Sequence, residues 1–309
     1  MLMLTKNMQE DIQRQMPLKS RDIDVCLMGA LDESLPREYV LDCLMMYQNK
    51  DGGFAGGLNI DNYNTNSSIL VCLDALQMLD ITGFDKKSCE ELYKPILDKL
   101  GNYLFNRCET KDNKWNGNTL TNNDFAHAKI YTFNDENKAL LGYHPTAAIV
   151  GYILHLLPET KAYYKKAYLM AERIINDVLN SNNITLYELK SFNIFLAKIK
   201  EENLFSDKIK EFENKLINYA KEMITIDFED FSKAHPLDCY SLDDKEIKDM
   251  IDKQLDYIIS NIAPHGLWDH KESWGYNTYV EEESAMIKWI GHETVLNYYF
   301  LKKFNRIEK

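Results

Sequence analysis

Apolar residues recur at three- and four-residue intervals along most of the chain and strict alternation is nowhere sustained, so the pattern predicts helices and almost no strand. In REYVLDCLMMY, residues 37–47, Val40, Leu44 and Tyr47 share one face, and Pro36 stands where a first helical residue belongs. SSILVCLDALQMLDITG starts near Asn66, a natural N-cap, and stops at Gly83, a natural residue to follow a helix. TAAIVGYILHLL follows His144-Pro145, with the proline placed to open it. Residues 165–180, 185–200, 207–224, 245–262 and 292–304 read the same way, with further segments in 4–31 and 90–106.

The loops between these segments repeat weakly. YQNKDGGFAGG (47–57), CETKDNKWNGN (108–118) and SNIAPHGLWDH (260–270) each follow a helix and join Gly or Asn turn residues to a Phe or Trp. A helix, a turn with an aromatic plug and a second helix make a unit that must stack on its neighbours to bury its faces. About five or six such hairpins fit the chain, which predicts one all-α domain over residues 1–309, an α/α toroid if the units close into a ring. The glycine loop lacks a preceding strand and the GK[ST] ending of a phosphate loop. Its glycines are read as a sharp corner between antiparallel helices, with Phe54 packed into the seam.

Charge and composition narrow the partners. The net charge of −12 and the lack of a basic stripe argue against nucleic acid and anionic membranes. Apolar runs such as AAIVGYILHLL fall far short of the ~20 residues that span a bilayer. Six cysteines without a CxxC pair and a start with no apolar leader point to a cytoplasmic protein with reduced thiols. The 19 Tyr and 13 Phe suit an aromatic-lined cavity for a small apolar ligand.

QNKDGGFAGGLNID resembles the QW-type turn, Q-x-x-D-G-G-F/W-G, of the terpenoid cyclase and protein prenyltransferase superfamily. NDFAHA (123–128), GYHPTAAIVGYIL (142–154), HPLDCYSLDD (235–244) and the C-terminal WGYNTYVEEESAMIKWIGHETVLNYYFLKKFNRI are similar, in the same order, to segments of small bacterial prenyltransferase-like proteins of that superfamily. The resemblance implies an α/α toroid with a central, often apolar cavity used for isoprenoid chemistry. Two departures stand out. Where class II cyclases carry D-x-D-D, this chain has Ser241-Leu242-Asp243-Asp244, lacking the first acid. Where protein prenyltransferases hold zinc with an Asp and a Cys two positions apart and a distant His, Asp238 and Cys239 are adjacent, with His265, His270 or His292 downstream.

The most chemically loaded stretch is DFEDFSKAHPLDCYSLDD, residues 227–244. Asp238, between Leu237 and Cys239 after a proline, is the first candidate for an acid or ligand. Asp243 and Asp244 are candidates too, although their place before a helix also suits capping. HGLWDHKESWGYNTY supplies Trp268, read as a hairpin plug like Phe54, and Trp274 and Tyr276 as extra rings beside a cavity. Among the three glutamates that lead a helical stretch, Glu283 is expected to point inward beside Trp289. Asp61, after the glycine corner, is expected to meet Asp124 and His127 across neighbouring repeats, and His144 to precede its helix as a cap. The prediction for these residues is that Trp274, Tyr276 and Asp238 face one hollow.

Three functions are compatible with this reading. The first is an isoprenoid-binding or isoprenoid-transforming enzyme in which an acid near Asp238 or Asp243 protonates the substrate. The second is a carbohydrate-active (α/α)6 barrel using acids among Asp61, Asp124, Asp238 and Glu283. The third is a non-catalytic binding protein on the same scaffold. No cofactor is required by the sequence; zinc would follow the prenyltransferase pattern, and magnesium would serve a diphosphate, for which no DDxxD cluster is present.

Overall fold

The structure is a computed structural model that describes residues 1–88, 94–134, 142–272, 275–276 and 279–309, with residues 94, 95, 279 and 280 described by their backbone alone. It is mostly helical. The principal helices are α1 (Lys6–Lys19), α2 (Asp22–Leu31), α3 (Glu38–Tyr47), α4 (Ile69–Ile81), α5 (Lys94–Asn102), α6 (Thr146–Leu156), α7 (Ala162–Asn180), α8 (Leu186–Glu201), α9 (Ile209–Met223), α10 (Lys245–Ser260) and α11 (Tyr279–Lys303). Strand structure among the described residues is confined to two-residue ladders, Phe54–Ala55 with Ser67–Ser68 and Thr110–Lys111 with Lys114–Trp115.

Two kinds of helix are present. α4 and α6 are mostly apolar and buried on nearly every side. Such a helix has to lie inside a larger body. α3, α7, α9 and α10 bury one stripe each; in α9 the buried residues are Phe212, Leu216 and Ala220, at helical spacing. Each of these is an outer helix that covers an inner one, and fully burying one such Leu or Phe is worth about 1.5–3 kcal/mol.

The contacts between elements run in a closed circuit. α2 packs on α4, α4 on α6, α6 on α8, and α8 on the short turn Pro236–Cys239. That turn packs on α10, α10 on α11, and α11 returns to α2. The chain ends meet at the closure: Leu4 pairs with Ile307 in a parallel bridge, through Leu4 N–H to Arg306 O at 2.8 Å and Glu308 N–H to Leu4 O at 3.0 Å. Arg306, only 1% exposed, donates to Leu2 O at 2.7 Å and to Asp252 and Asp256 of α10 at 2.9 and 2.8 Å.

The loops act as corners. Gly52 has φ +98°, and a methyl group there would lie 2.1 Å from the Lys99 carbonyl oxygen of α5, so only glycine fits the close approach. Gln48 Nε2 ties this corner to α5 by bonding Gly52 O at 3.0 Å and Ile96 O at 3.1 Å, while Phe54 is fully buried. The other two corners share a stitch. Trp115 gives its indole N–H to Leu104 O (3.0 Å) and its backbone N–H to Thr146 Oγ1 (2.9 Å). Trp268 does the same with Ile258 O (2.7 Å) and Thr294 Oγ1 (3.3 Å). Each tryptophan therefore fastens the helix before its corner to a helix after it.

Local boundaries differ from the periodicity in places. α4 begins at Ile69 after Ser68 rather than near Asn66, because Asn66 pairs with Asn64 in the loop. Pro145 precedes α6 as its N-cap, and Thr146 opens the helix. The last helix starts at Tyr279, well before the expected 292, and runs unbroken through Gly291, where a methyl group would lie 2.5 Å from the Ser20 side chain between α1 and α2.

Candidate functional site

A hollow of about 370 Å³ is walled by α4, α6, α8, α11, the 236–240 turn and the loop segments 59–61 and 130–131. Most of its wall is ring and aliphatic surface, including Tyr131, Tyr152, Tyr240, Trp289, Tyr299 and Phe300. Tyr152 is only 2% exposed.

One side of the hollow is acidic, and the glycine corner places it. Beyond Gly57 the chain is held by Arg21, whose Nη1 reaches Gly57 O at 3.1 Å and Leu58 O at 2.8 Å. Arg21 in turn grips the fully buried Asp24 through both carboxylate oxygens, at 2.7 and 2.9 Å, and His292 approaches Asp24 at 3.1 Å. Burial works against the Asp24 charge, but Arg21 and His292 outweigh it and hold this carboxyl below its usual range. So anchored, the corner presents Asn59 and Asp61 to the hollow.

Asp61 Oδ1 accepts from Tyr276 Oη at 2.7 Å and from Trp289 Nε1 at 2.9 Å. Burial pushes its carboxyl up, and these two neutral donors offset that only in part. Asn59 links the pair of acids: its Oδ1 accepts the Asp61 N–H at 3.0 Å, and its Nδ2 donates to Asp74 Oδ2 at 2.7 Å and to Tyr131 Oη at 2.9 Å. Asp74 faces the hollow from α4, and burial pushes its carboxyl up to about 6.

A second hollow of about 330 Å³ adjoins the first, sharing Lys190, Leu237, Asp238, Trp289, Leu296 and Phe300 with it. At the shared wall Lys190 pairs with Asp238 at 3.2 Å. Burial pulls the Lys190 ammonium down, yet the Asp238 charge wins and leaves it above its ordinary value. The Trp289 ring stacks on His270, with centroids 4.4 Å apart and planes at 12°, and meets His292 edge-on at 5.3 Å. Glu272 lines this second hollow, and burial pushes it up to about 7.

The candidates from the sequence are distributed unevenly. Asp61, Tyr276 and Trp289 are joined by direct hydrogen bonds, and Asp61, Asp238, His144 and Trp289 line the same hollow. His144 bonds Ser191 Oγ through Nδ1 at 2.8 Å, and burial together with the Lys190 charge lowers its basicity to about 4. Trp268 is the corner plug and also borders the second hollow. Trp274 lies outside the described residues.

Five candidates sit elsewhere. Asp243 is 75% exposed and pairs with Lys248, and Asp244 caps α10 by accepting from Glu246 N–H (3.0 Å) and Ile247 N–H (3.2 Å). Ser241 is tied back to α8 through Asn193, so the S-L-D-D stretch anchors and starts helices rather than lining the hollow. Asp124 is exposed at the end of a short 3-10 turn. Glu283 is exposed as well, since six residues of helix turn it about 120° away from Trp289. His127 is buried, and its backbone lies beside Asp61 through the Ala128 N–H to Asp61 O bond at 2.9 Å. Its ring, however, turns to Phe125 O (2.7 Å) and Thr132 Oγ1 (3.1 Å) instead of the hollow.

For a metal, Cys239 is fully buried with its thiol pushed up by burial, while His265, His270 and His292 bond Asp269, Glu293 and Asp24. Asp80, His155 and Glu201 converge at a spacing that suits a metal ion, but the Lys198 ammonium already bonds both Asp80 and Glu201 and fills the cation position. Among the described residues no helix is long and apolar enough to cross a membrane.

Asp74, Asn59, Lys190 and Glu272 were not singled out from the sequence. The available signal for Asp74 was a lone acid in the otherwise apolar run ILVCLDALQML, and for Lys190 a lysine facing the apolar side of its helix. No known protein family, curated protein or solved structure matches the chain.

Proposed function

We propose that the chain is an α/α toroid of the terpenoid cyclase and prenyltransferase kind, and that its hollow binds and, by acid catalysis, transforms an isoprenoid or similarly apolar chain. The closed circuit of contacts and the one-sided burial of α3, α7, α9 and α10 support the architecture. The observation that carries the functional reading is Asp74: a carboxyl in an aromatic wall, bonded by the neutral Asn59 and shifted to about 6, so that a protonated fraction persists near neutral pH.

In this reading the Asp74 proton passes to a double bond of the bound chain, leaving a carboxylate on Asp74 and a positive charge on carbon. The faces of the surrounding tyrosines and Trp289 stabilise that charge. Loss of a proton from the chain to Asp61 or Asp74 completes the step. Asn59, itself held by Tyr131, orients the Asp74 carboxyl, and the apolar wall excludes water that would quench the cation.

The test combines binding and exchange. Prenyl alcohols and diphosphates should raise the melting temperature, because a ligand of the native state stabilises it. Incubation with a prenyl substrate in heavy water should place deuterium on the chain, and Asp74→Asn should abolish this. No shift with any prenyl compound, together with a shift from an oligosaccharide, would replace this reading by the carbohydrate one, which draws on Asp238 and Glu272 in the second hollow.

A further inference from the structure

The second hollow differs in kind from the first. Charged groups from several elements line it, yet most are already matched: Lys190 with Asp238 at 3.2 Å, His270 with Glu293 at 3.3 Å, and Lys271 with Glu229 at 2.6 Å. A charged ligand group that broke the Lys190–Asp238 or His270–Glu293 contact would strand a partly buried partner, which is costly, whereas the Lys271–Glu229 pair lies out in solvent. An anionic head faces a further obstacle, since Asp238, Asp269, Glu272 and Glu293 line the space against Lys190, Lys271 and Lys233, the last of them exposed.

What remains without a partner is hydrogen-bonding capacity. The Nε2 atoms of His270 and His235 are buried and unbonded, and the His270 side chain is only 8% exposed. Buried polar atoms are ordinarily satisfied, so two orphans on one hollow call for an occupant. Among the described residues Glu272 has no hydrogen-bond partner either, and at about 7 its carboxyl can donate as well as accept. Phe228, Phe231 and Trp289 supply ring surface beside these groups. Ring faces alternating with neutral donors and acceptors are the surface that a polyhydroxylated ring requires.

The two hollows adjoin, with Lys190, Leu237, Asp238 and Trp289 lining both. We infer that the ligand is amphiphilic: an apolar chain in the first hollow carrying an uncharged, hydroxyl-rich head such as a sugar, which sits in the second hollow against His270, His235 and Glu272. The chain half of this inference rests on the isoprenoid reading above; the head half rests on the second hollow alone.

The experiment compares affinities by calorimetry for geranylgeraniol, its glucoside, its diphosphate, dodecyl glucoside and glucose. The glucoside should bind at least ten-fold more tightly than the alcohol, and the diphosphate no more tightly than the alcohol. That ratio should fall towards one in Glu272→Leu and in His270→Phe, the second chosen to keep a ring against Trp289. A glucoside no tighter than the alcohol, a diphosphate tighter than the glucoside, or a ratio untouched by both variants would overturn the inference and leave the isoprenoid reading standing. If none of the three prenyl compounds binds while dodecyl glucoside does, the isoprenoid reading fails and the head-group inference survives.

Discussion

Trp289 donates its indole N–H to Asp61 Oδ1 at 2.9 Å, joining the last helix to the corner that follows Phe54. The same ring stacks on His270, so one side chain borders both hollows and fixes an acid in the first. Trp289→Phe keeps a ring and removes the donor. It should destabilise the fold by about 1–3 kcal/mol, the usual range when a buried acceptor loses a partner. Ligand affinity should fall with it. Chemical denaturation and calorimetry on the same variant check both, and an unchanged affinity would show that Asp61 does not contribute to binding.

Asp74 sets a pH dependence of known sign. Its folded carboxyl titrates near 6, above the ordinary 3.8, so the folded state holds the proton more firmly than the unfolded chain does. The resulting stabilisation relative to a permanently charged group is complete below the unfolded value and is lost as pH rises through about 6. At pH 7 the wild type carries a buried carboxylate, and Asp74→Asn should be more stable by about 1–3 kcal/mol, the energy of one to two pKa units. Near pH 4 the two proteins should converge. Urea titrations at both pH values check this; a pH-independent difference would exclude the titration of Asp74 as its cause.

His144 works in the opposite direction. Burial and Lys190 hold its basicity at about 4, so between 6.5 and 4 the unfolded chain takes up a proton that the folded chain refuses. Acidification across that window should cost the wild type on the order of 2–3 kcal/mol more than His144→Gln, which has no titrating group. The comparison of the two proteins cancels the contributions of the other acids.

Lys198 is 3% exposed and is held between Asp80 and Glu201. Lys198→Met should lower stability by about 3–5 kcal/mol, because Asp80 loses its ammonium partner in the interior and keeps only His155, 3.9 Å away. Adding Asp80→Leu should recover most of the loss. A single variant that melts like the wild type would mean that water already solvates Asp80.

The sequence makes the local features of this fold legible, and the distant pairings much less so. Asp244 stands directly before an amphipathic helix, and its carboxylate caps α10. Gly83 follows α4 with φ +73°, as its position after the apolar run predicts. These features depend on a few neighbouring residues. Asp74 depends on Asn59, whose own position is set by a corner that Arg21 anchors, and Lys198 depends on Asp80, 118 residues away. Composition and spacing carry no information about such pairings. The S-L-D-D stretch drew attention by its likeness to an acid motif, whereas the lone acid inside ILVCLDALQML had no motif to mark it.

The latch between Leu4 and Ile307, with Arg306 locked onto α10, bears on how the molecule opens. Chain termini ordinarily fray and exchange their amide hydrogens within moments. Here the Leu4 and Glu308 amides are held by opposite ends of the chain, so their deuterium uptake should be as slow as that of α6. Opening of this latch has to part α1 from α11, which pack on each other.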